Sequence, residues 1–413
     1  MADYQSLYRL SHKLDADELK WERERRLHSP GVVFLDFPVG ENKLFYVITP
    51  ELAAAAERVY ALDREVRGIE ADMPPIGATL CLRALSMGNA VSSNTIEGVH
   101  SSRREMEDGF IANSARAKKT VKYVGLAGFY ERVFVKGQLP KMSLEGIRTI
   151  FDEAVAPNIA AEEQPDGRLF RAEPINVYGT GQRILYRGMH PEKKIVDGLE
   201  TMLGEWERPS STRLVAALLG HIMFELVHPF YDGNGRTGRL LMAVELSTIL
   251  SRFSALAFAG RLEEKRRDYL REFRELERPF NLGEATGFLI FLLDELGNSM
   301  EDFLGEIREK AGDFKNLHAH LRDSGVGVIV RYDLGDNEKT ILELLAWGNL
   351  AGLSQGVELR AVADIEGAPR NWRTIRGALD CLVEKGFAEI TRQRPLFVRL
   401  SSQAENALMG SLE

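Results

Sequence analysis

The sequence predicts a mainly α-helical protein in which one β-hairpin interrupts the helices and a winged helix-turn-helix domain follows at the C-terminal end. Two observations carry this prediction. Apolar residues recur at three- and four-residue spacing through most of residues 118–322, which is the period of a helix with one buried face. After about Lys339 the pattern changes to a helix, a short element near Ala361–Asp364, a basic helix and two short strands, which is the order of a winged helix.

Composition narrows the class of protein. The 413 residues favour two or three domains, at roughly 100 to 200 residues each. A hydrophobic content of 44% excludes a globally disordered chain, and a net charge of −8 argues against a surface that coats nucleic acid or anionic membrane as a whole. Cys81 and Cys381 are too few for a disulfide framework or a thiolate metal site. With no secretion signal and no long apolar run, we expect a cytoplasmic protein without a membrane partner.

The elements follow in order from the N-terminal end. A charged stretch at 15–26 precedes a hairpin at 32–48, with Gly40-Glu41-Asn42 as its turn. Pro50 opens a helix to about Arg67, and a second helix is expected at 76–90. Pro174–Tyr186 is predicted as a hairpin around Gly179-Thr180-Gly181. The remaining predicted helices are Lys118–Val135, Ser143–Ala156, Ile195–Trp206, Thr212–Val227, Arg236–Ser251, Leu262–Glu277, Gly283–Leu296 and Ser299–Arg322.

A domain boundary is expected where the helical period stops, around Ser324–Gly327 and Gly335–Asn337. We therefore predict four segments along the chain. They are an N-terminal helical region at 1–105, a core domain at 106–323, a linker at 324–338 and the winged helix at 339–413.

The most informative segment is HPFYDGNGRTGR, from His228 to Arg239. The residue before Pro229 is disfavoured in the α region, so this segment is expected to be a loop between two helices. Gly233 and Gly235 allow a ligand to approach the backbone closely, and the amides that open the next helix point outward. The segment therefore predicts a phosphate-binding loop.

Charged and titratable side chains in this segment are placed to bind phosphates, a metal ion and a proton. Arg236 and Arg239 are three residues apart on the first helical turn, so both reach a bound polyphosphate. Asp232 is placed for a divalent cation that bridges phosphates. His228 is the nearby group that accepts a proton near neutral pH.

Other glycine-rich motifs do not fit. Gly233-x-Gly235-x-x-Gly238 matches the dinucleotide pattern, but it follows an apolar helix rather than a strand. The motifs that accompany a kinase glycine loop are absent from the sequence, as is a P-loop.

These residues resemble a known family. The pattern His-x-Phe-x-Asp-Gly-Asn-Gly-Arg-x-x-Arg is the signature of the Fic (filamentation induced by cyclic AMP) family, and the resemblance extends over about residues 93–306. It implies a Fic-type helical core with a β-hairpin flap. It also implies a nucleotidyltransferase, a protein adenylyltransferase that moves AMP from ATP, with Mg²⁺, to a Tyr, Thr or Ser hydroxyl of a target protein or of itself.

The resemblance also assigns roles to individual residues. His228 would be the catalytic base and Asp232 the metal ligand. Gly233, Asn234 and Gly235 would form the anion hole, Arg236 would neutralise phosphate charge, and Arg239 would hold the γ-phosphate.

A second family pattern, from Ser93 to Gly98, precedes this signature and implies an inhibitory helix. Ser93 and Glu97 are four residues apart, so they share one helical face, and Glu97 is expected to contact Arg239 and inhibit the enzyme. The alternative is a helix N-terminus, because Asn94 and Glu97 have the spacing of a capping box.

Weaker patterns leave alternatives open. Ile175, Val177 and Ile184 alternate as strand residues do, which fits either ordinary hairpin packing or a strand edge that docks a target segment. His221 is expected to be a packed core histidine. Residues 370–399 carry seven basic and three acidic side chains, or 7 − 3 = +4, which fits DNA binding as well as protein interaction or dimerisation.

Three functional alternatives remain beside the transferase. The protein could be a DNA-binding regulator that uses its Fic core as a nucleotide sensor. It could use another donor, giving transfer of UMP or phosphocholine. It could also remove AMP from its target. The sequence leaves open the target, the modified residue and the oligomeric state.

Overall fold

The computed structural model describes residues 4–73, 75–114, 121–178, 184–208, 213–322, 333–353, 355–359, 369–394 and 396–409. Within them the protein is mainly helical and contains small antiparallel sheets, as the sequence predicts. The chain divides into two compact units. Unit 1 comprises residues 1–64, 92–100 and 138–301, and unit 2 comprises residues 65–91, 101–137 and 302–413. Among the described helices, none has the length and apolar character needed to cross a membrane.

The helices account for most of the described chain. In chain order they are α1 (Leu7–Leu10), α2 (Ala16–Leu27), α3 (Pro50–Asp72), α4 (Pro75–Ile96), α5 (Arg103–Ser114), α6 (Val124–Tyr130), α7 (Leu144–Ile150), α8 (Glu192–Glu207), α9 (Arg213–Val227), α10 (Asn234–Ser247), α11 (Arg252–Glu264), α12 (Arg266–Leu276), α13 (Thr286–Arg322), α14 (Asp336–Leu350), α15 (Trp372–Glu384) and α16 (Ser402–Met409). Short π-helical turns at Glu131–Val135 and Phe151–Val155 continue α6 and α7.

The strands form three small sheets within the described residues. They are β1 (Val32–Val39), β2 (Asn42–Val47), β3 (Asn176–Tyr178), β4 (Ile184–Arg187), β5 (Val357–Glu358), β6 (Ala388–Gln393) and β7 (Leu396–Leu400). The first two pairs are hairpins, and the third sheet has the order β5-β7-β6. The predicted turn Gly179-Thr180-Gly181 lies outside the described residues.

Several helix predictions were wrong in their bounds. Helix α4 was expected to stop at Ala90 but continues to Ile96. The stretch 252–261 was assigned no helix, yet α11 begins at Arg252. The two helices predicted on either side of Gly297 are one helix, α13. Glycine at position 297 lets the guanidinium of Arg58 pack against the helix, because a Cβ there would lie only 2.8 Å from Nη1 of Arg58.

Helix α9 is the central helix of unit 1. Nearly all of its residues are buried, so it has no solvent-facing stripe. Helix α8 packs on it through Trp206, whose indole Nε1 donates to the carbonyl of Ala216 at 3.1 Å. This close approach requires Gly220, because a Cβ there would lie 2.2 Å from the indole nitrogen.

Unit 2 has its own hydrophobic core around the buried ring of Trp347. Leu80 of α4 packs into this core with residues from α14, α15 and the β5-β7-β6 sheet. Helices α14 and α15 and strands β6 and β7 follow one another in the predicted order, whereas strand β5 was not predicted. The predicted short element at Ala361–Asp364, and most of the predicted linker, lie outside the described residues.

The contact between Gly220 and Trp206 gives a test of the fold. We expect Gly220→Ala to lower the free energy of unfolding by about 1–3 kcal/mol, because the new methyl group overpacks the indole. Gly204→Ala on α8 is the matched control: a Cβ there meets nothing within 4 Å, so it should be neutral or stabilise by about 0.5–1 kcal/mol. Urea unfolding of both variants measures the difference. Equal stability of the two variants would contradict this packing.

Candidate active site

The loop predicted between two helices begins where α9 ends at Val227. His228 follows with a φ of 52°, in the left-handed region that is unfavourable for a residue with a Cβ. Its N–H donates to the carbonyl of Phe224 at 3.0 Å, and its own carbonyl accepts from the guanidinium of Arg171 at 2.8 Å. These contacts hold the backbone of His228 in a turn at the end of α9.

Phe230 anchors the middle of the loop. Its fully buried ring stacks on Phe151, with centroids 3.8 Å apart. The side chain of Asn234 accepts from the Phe230 N–H at 2.9 Å and donates to the Phe230 carbonyl at 2.8 Å. The Asn234 side chain therefore shapes the loop, and the anion-hole role predicted for this residue rests on its backbone amide.

Both predicted loop glycines are required by their surroundings. Gly233 has a φ of 80°, and a Cβ there would lie 2.7 Å from atoms of both Val155 and Ile159. A Cβ on Gly235 would lie 2.0 Å from Oε1 of Glu97. The amides at the start of α10, which begins at Asn234 rather than at Arg236, lack acceptors within the helix and carry the positive end of its dipole. The backbone from Gly233 to Gly235 is here called the nest, and its amides favour a negative charge nearby.

The tautomer of the His228 ring follows from its hydrogen bond to the backbone. Its Nδ1 lies 3.3 Å from the carbonyl of Glu225, and because a carbonyl only accepts, Nδ1 carries the proton. The other nitrogen, Nε2, is then the basic atom. Burial lowers the pKa of His228 to about 4, the hydrogen bond to Glu225 opposes this, and the charge of Arg171 adds to it. The imidazole is therefore neutral near pH 7, as a general base must be.

Asp232 is the candidate metal ligand. Its Oδ1 accepts from the Gly233 N–H at 2.6 Å, its Oδ2 lies 3.1 Å from Nη2 of Arg236, and 48% of its side chain is exposed. Among the described residues there is no cluster of three or more His, Cys, Asp or Glu that could hold a metal alone. Mg²⁺ commonly uses one or two protein carboxylates together with substrate phosphates. A single exposed carboxylate beside the nest fits that use of Mg²⁺.

Arg239 is buried and meets both residues of the second sequence pattern. Its Nε donates to Oγ of Ser93 at 3.0 Å, and its Nη2 donates to the Ser93 carbonyl at 2.9 Å and to Oε1 of Glu97 at 2.8 Å. Burial alone would raise the pKa of Glu97, but the charge and hydrogen bond of Arg239 outweigh it and the pKa is lowered. The Glu97 carboxylate is therefore an anion seated between Arg239 and Gly235.

The end of α4 explains how Glu97 reaches this position. The helix ends at Ile96, and Gly98 has a φ of 75°, which closes the last turn through bonds from Gly98 N–H to Thr95 and from Val99 N–H to Asn94. The capping-box alternative is therefore wrong, because no helix begins at this pattern. From α12, Nε of Arg266 also donates to the Ile96 carbonyl at 2.6 Å.

A cluster of buried polar side chains near Arg239, formed by His221, Tyr269 and Glu225, was not predicted from the sequence. His221 is buried as predicted, and its Nε2 lies 2.6 Å from the hydroxyl of Tyr269 on α12. Glu225 places Oε1 4.0 Å from His221 Nδ1. Burial raises the pKa of Glu225 to about 8, Arg239 opposes the rise, and Glu97 adds to it. The one available signal was the position of Glu225, one helical turn after His221 and just before the motif.

The flap residues are described only in part. Ile175 is partly buried, and the strands pair Asn176 with Arg187 and Val177 with Tyr186. Val177 and Ile184 lie in β3 and β4 as predicted, but their side chains lie outside the described part of the structure. A docking role for these three residues stays a prediction.

The raised pKa of Glu225 predicts how stability depends on pH. Between the unfolded pKa of 4.5 and the folded pKa of about 8 the folded state binds the extra proton, so stability falls as pH rises. The slope reaches at most about 1.4 kcal/mol per pH unit. We expect Glu225→Gln to remove this slope, and so to gain stability over the parent as pH rises from about 5 to about 8.

Urea unfolding at the two pH values measures this effect. Glu162→Gln, at an exposed position in the same unit, is the control and should follow the parent protein. A constant difference between Glu225→Gln and the parent at both pH values would contradict the assigned protonation state.

Comparison with known proteins agrees with the motif. Residues 143–246 match the Fic/DOC family model. A curated protein from Aquifex aeolicus (strain VF5), named a probable protein adenylyltransferase, is 38% identical over 87 residues. That match covers 21% of this chain and 26% of the relative, so the chain spans about a quarter of the length of the curated relative.

Solved structures also resemble the chain. A Fic family protein from Desulfovibrio desulfuricans G20 has a TM-score of 0.48 and 18% identity, covering 86% of this chain and 98% of that one. A variant of Fic-1 from C. elegans has a TM-score of 0.43 and 18% identity, and the match covers 63% of this chain and 75% of that one. The segment that matches the Fic/DOC family model, residues 143–246, includes the whole motif from His228 to Arg239.

Proposed function

We propose that the protein is an adenylyltransferase that moves AMP from ATP to a hydroxyl side chain of a protein. The observation that carries this proposal is the position of His228. Its basic Nε2 belongs to a ring five residues before the nest, inside the segment that matches the Fic/DOC family model. The Aquifex aeolicus relative is named a probable protein adenylyltransferase, which supports AMP as the transferred group.

The reaction assigns one task to each group. The nest amides and Arg236 bind the phosphates and neutralise charge, which is the main demand of phosphoryl and nucleotidyl transfer. Asp232 holds Mg²⁺, which supplies further charge neutralisation when bound. Nε2 of His228 accepts the proton of the incoming hydroxyl, the hydroxyl oxygen forms a bond to the α-phosphorus, and pyrophosphate leaves.

Glu97 acts as an inhibitor in this proposal. Its carboxylate lies against Gly235 and Arg239, where an anionic phosphate would otherwise be bound. Because two anions do not share one buried guanidinium at low cost, bound ATP is left without the contact from Arg239. Ser93 strengthens the inhibited state by accepting two further bonds from the same guanidinium.

The C-terminal part of unit 2 is proposed to be a winged helix that acts as an interaction module. The order of its elements supports this fold. Three of its arginines form ion pairs within unit 2: Arg376 with Asp380, Arg399 with Glu389 and Arg392 with Asp108. Each carboxylate offsets the positive charge of its arginine, which lowers the attraction of this surface for phosphates and favours a protein partner over DNA.

The transferase proposal predicts the effect of removing the inhibitory carboxylate. We expect Glu97→Gly to raise transfer at least about tenfold, because a charge-assisted hydrogen bond contributes about 1.5–3 kcal/mol. The measurement is incubation with ATP, Mg²⁺ and cell lysate, followed by mass spectrometry of proteins that gain one adenylyl group. Glu97→Gln, which keeps the size of the side chain, should activate in the same direction.

Two controls separate the chemistry from loosening of α4. Adding His228→Ala to Glu97→Gly should abolish the adducts. Thr95→Gly, at an exposed position of the same turn, should not activate. Adducts that survive loss of His228, or equal rates for the parent and Glu97→Gly, would refute the assignment. ATP binding without adducts in every variant would instead support the nucleotide-sensor alternative.

A further inference from the structure

Arg171 is a fully buried arginine in unit 1 that the motif does not include. Its guanidinium donates to three backbone carbonyls. Nε reaches the carbonyl of His228 at 2.8 Å, Nη1 reaches Glu173 at 2.7 Å, and Nη2 reaches Met189 at 2.7 Å.

The three carbonyls belong to three separate segments of the chain. His228 carries the proposed base, Glu173 lies just before β3, and Met189 lies just after β4. One side chain therefore joins the candidate base to both ends of the flap.

Backbone hydrogen bonds continue the same connection. The Arg171 N–H donates to Pro229, the Met189 N–H donates to Val227, and the Gly188 N–H donates to Ile175, at distances of 3.1 Å, 3.1 Å and 3.2 Å. The first two bonds tie the segments that flank the flap to the residues on either side of His228, and the third closes the base of the flap.

The local sequence makes room for this arrangement. A Cβ on Gly188 would lie 2.4 Å from Nη2 of Arg171 and 3.2 Å from Cβ of His228, so a larger residue would displace the guanidinium. Burial of a cation is costly unless its N–H groups are bonded, and the planar fork of arginine directs them along fixed lines. Lysine has a single ammonium and cannot reach the same three acceptors in one geometry.

We propose that Arg171 is a positioning residue that fixes His228 and both ends of the flap in one geometry. An acceptor hydroxyl that enters the site then meets a base whose backbone is already held in place. This inference rests on the proposed function for the identity of the acceptor. The left-handed φ of His228 fits this role, because an unfavourable backbone conformation persists only where its surroundings hold it.

Arg171→Lys and Arg171→Met test the proposal in the Glu97→Gly protein. The matched control is Arg148→Met, because Arg148 also donates to a backbone carbonyl of the adjoining loop, that of Leu169, but the contacts described for it do not include His228. The first readout is hydrogen exchange at the amides of Gly188, Met189 and His228. The second is self-modification with ATP, resolved into kcat and the KM for ATP.

We expect both Arg171 variants to raise exchange at these amides by about tenfold or more, since each loses the contacts that close the segment. We expect kcat to fall by about ten- to a hundredfold, the cost of a displacement of about 1 Å, while the KM for ATP stays within about twofold because the nest is untouched. Arg148→Met should change neither. A kcat in Arg171→Lys as low as in Arg171→Met would support a role that depends on the planar guanidinium and not on positive charge alone.

Unchanged exchange in Arg171→Lys would overturn the proposal. So would a rise in the KM for ATP that matches the fall in kcat, which indicates a general loss of structure. If the Glu97→Gly parent shows no transfer at all, the proposed function fails, and the exchange comparison still decides whether Arg171 fixes His228 and the flap.

Discussion

The buried guanidinium of Arg239 is the constraint on which the site depends. A cation with almost no exposed surface needs an anion and hydrogen-bond acceptors within reach. In the described structure Glu97 supplies the anion and Ser93 supplies two acceptors. A phosphate beside Gly235 offers the same charge and the same kind of acceptor. The competition that we propose between a carboxylate and a phosphate for Arg239 would follow directly from this burial.

Much of the site was predictable because its signals are local in sequence. Positive φ at Gly233, the close approach at Gly235 and the helix end before Pro229 all follow from single residue types. The residues for which no role was predicted act from a distance in the chain. Arg171 lies 57 residues before His228, and Tyr269 lies 48 residues after His221. Nothing in their immediate sequence indicates that both become buried beside the motif.

For the fold too, elements with a local sequence signal were predicted and elements that depend on tertiary contacts were not. Amphipathic helices such as α8 were predicted close to their observed bounds. Helix α11 was missed because its buried residues leave no polar stripe to reveal the period. Helix α2 was missed because it is highly charged, and it is held instead by a capping box at Asp15 and by the ion pair of Arg26 with Glu284. These two helices are stabilised by tertiary contacts, and such contacts cannot be predicted from a short stretch of sequence.

Calorimetric binding of ATP and ADP most directly tests whether Glu97 occupies the place of a phosphate. If it does, the parent protein should bind the two nucleotides with Kd values within about threefold, because Arg239 is already engaged. Glu97→Gly should bind ATP at least about tenfold more tightly than ADP, since the third phosphate gains a charge-assisted contact with Arg239. An ATP to ADP preference that is the same in both proteins would contradict the account.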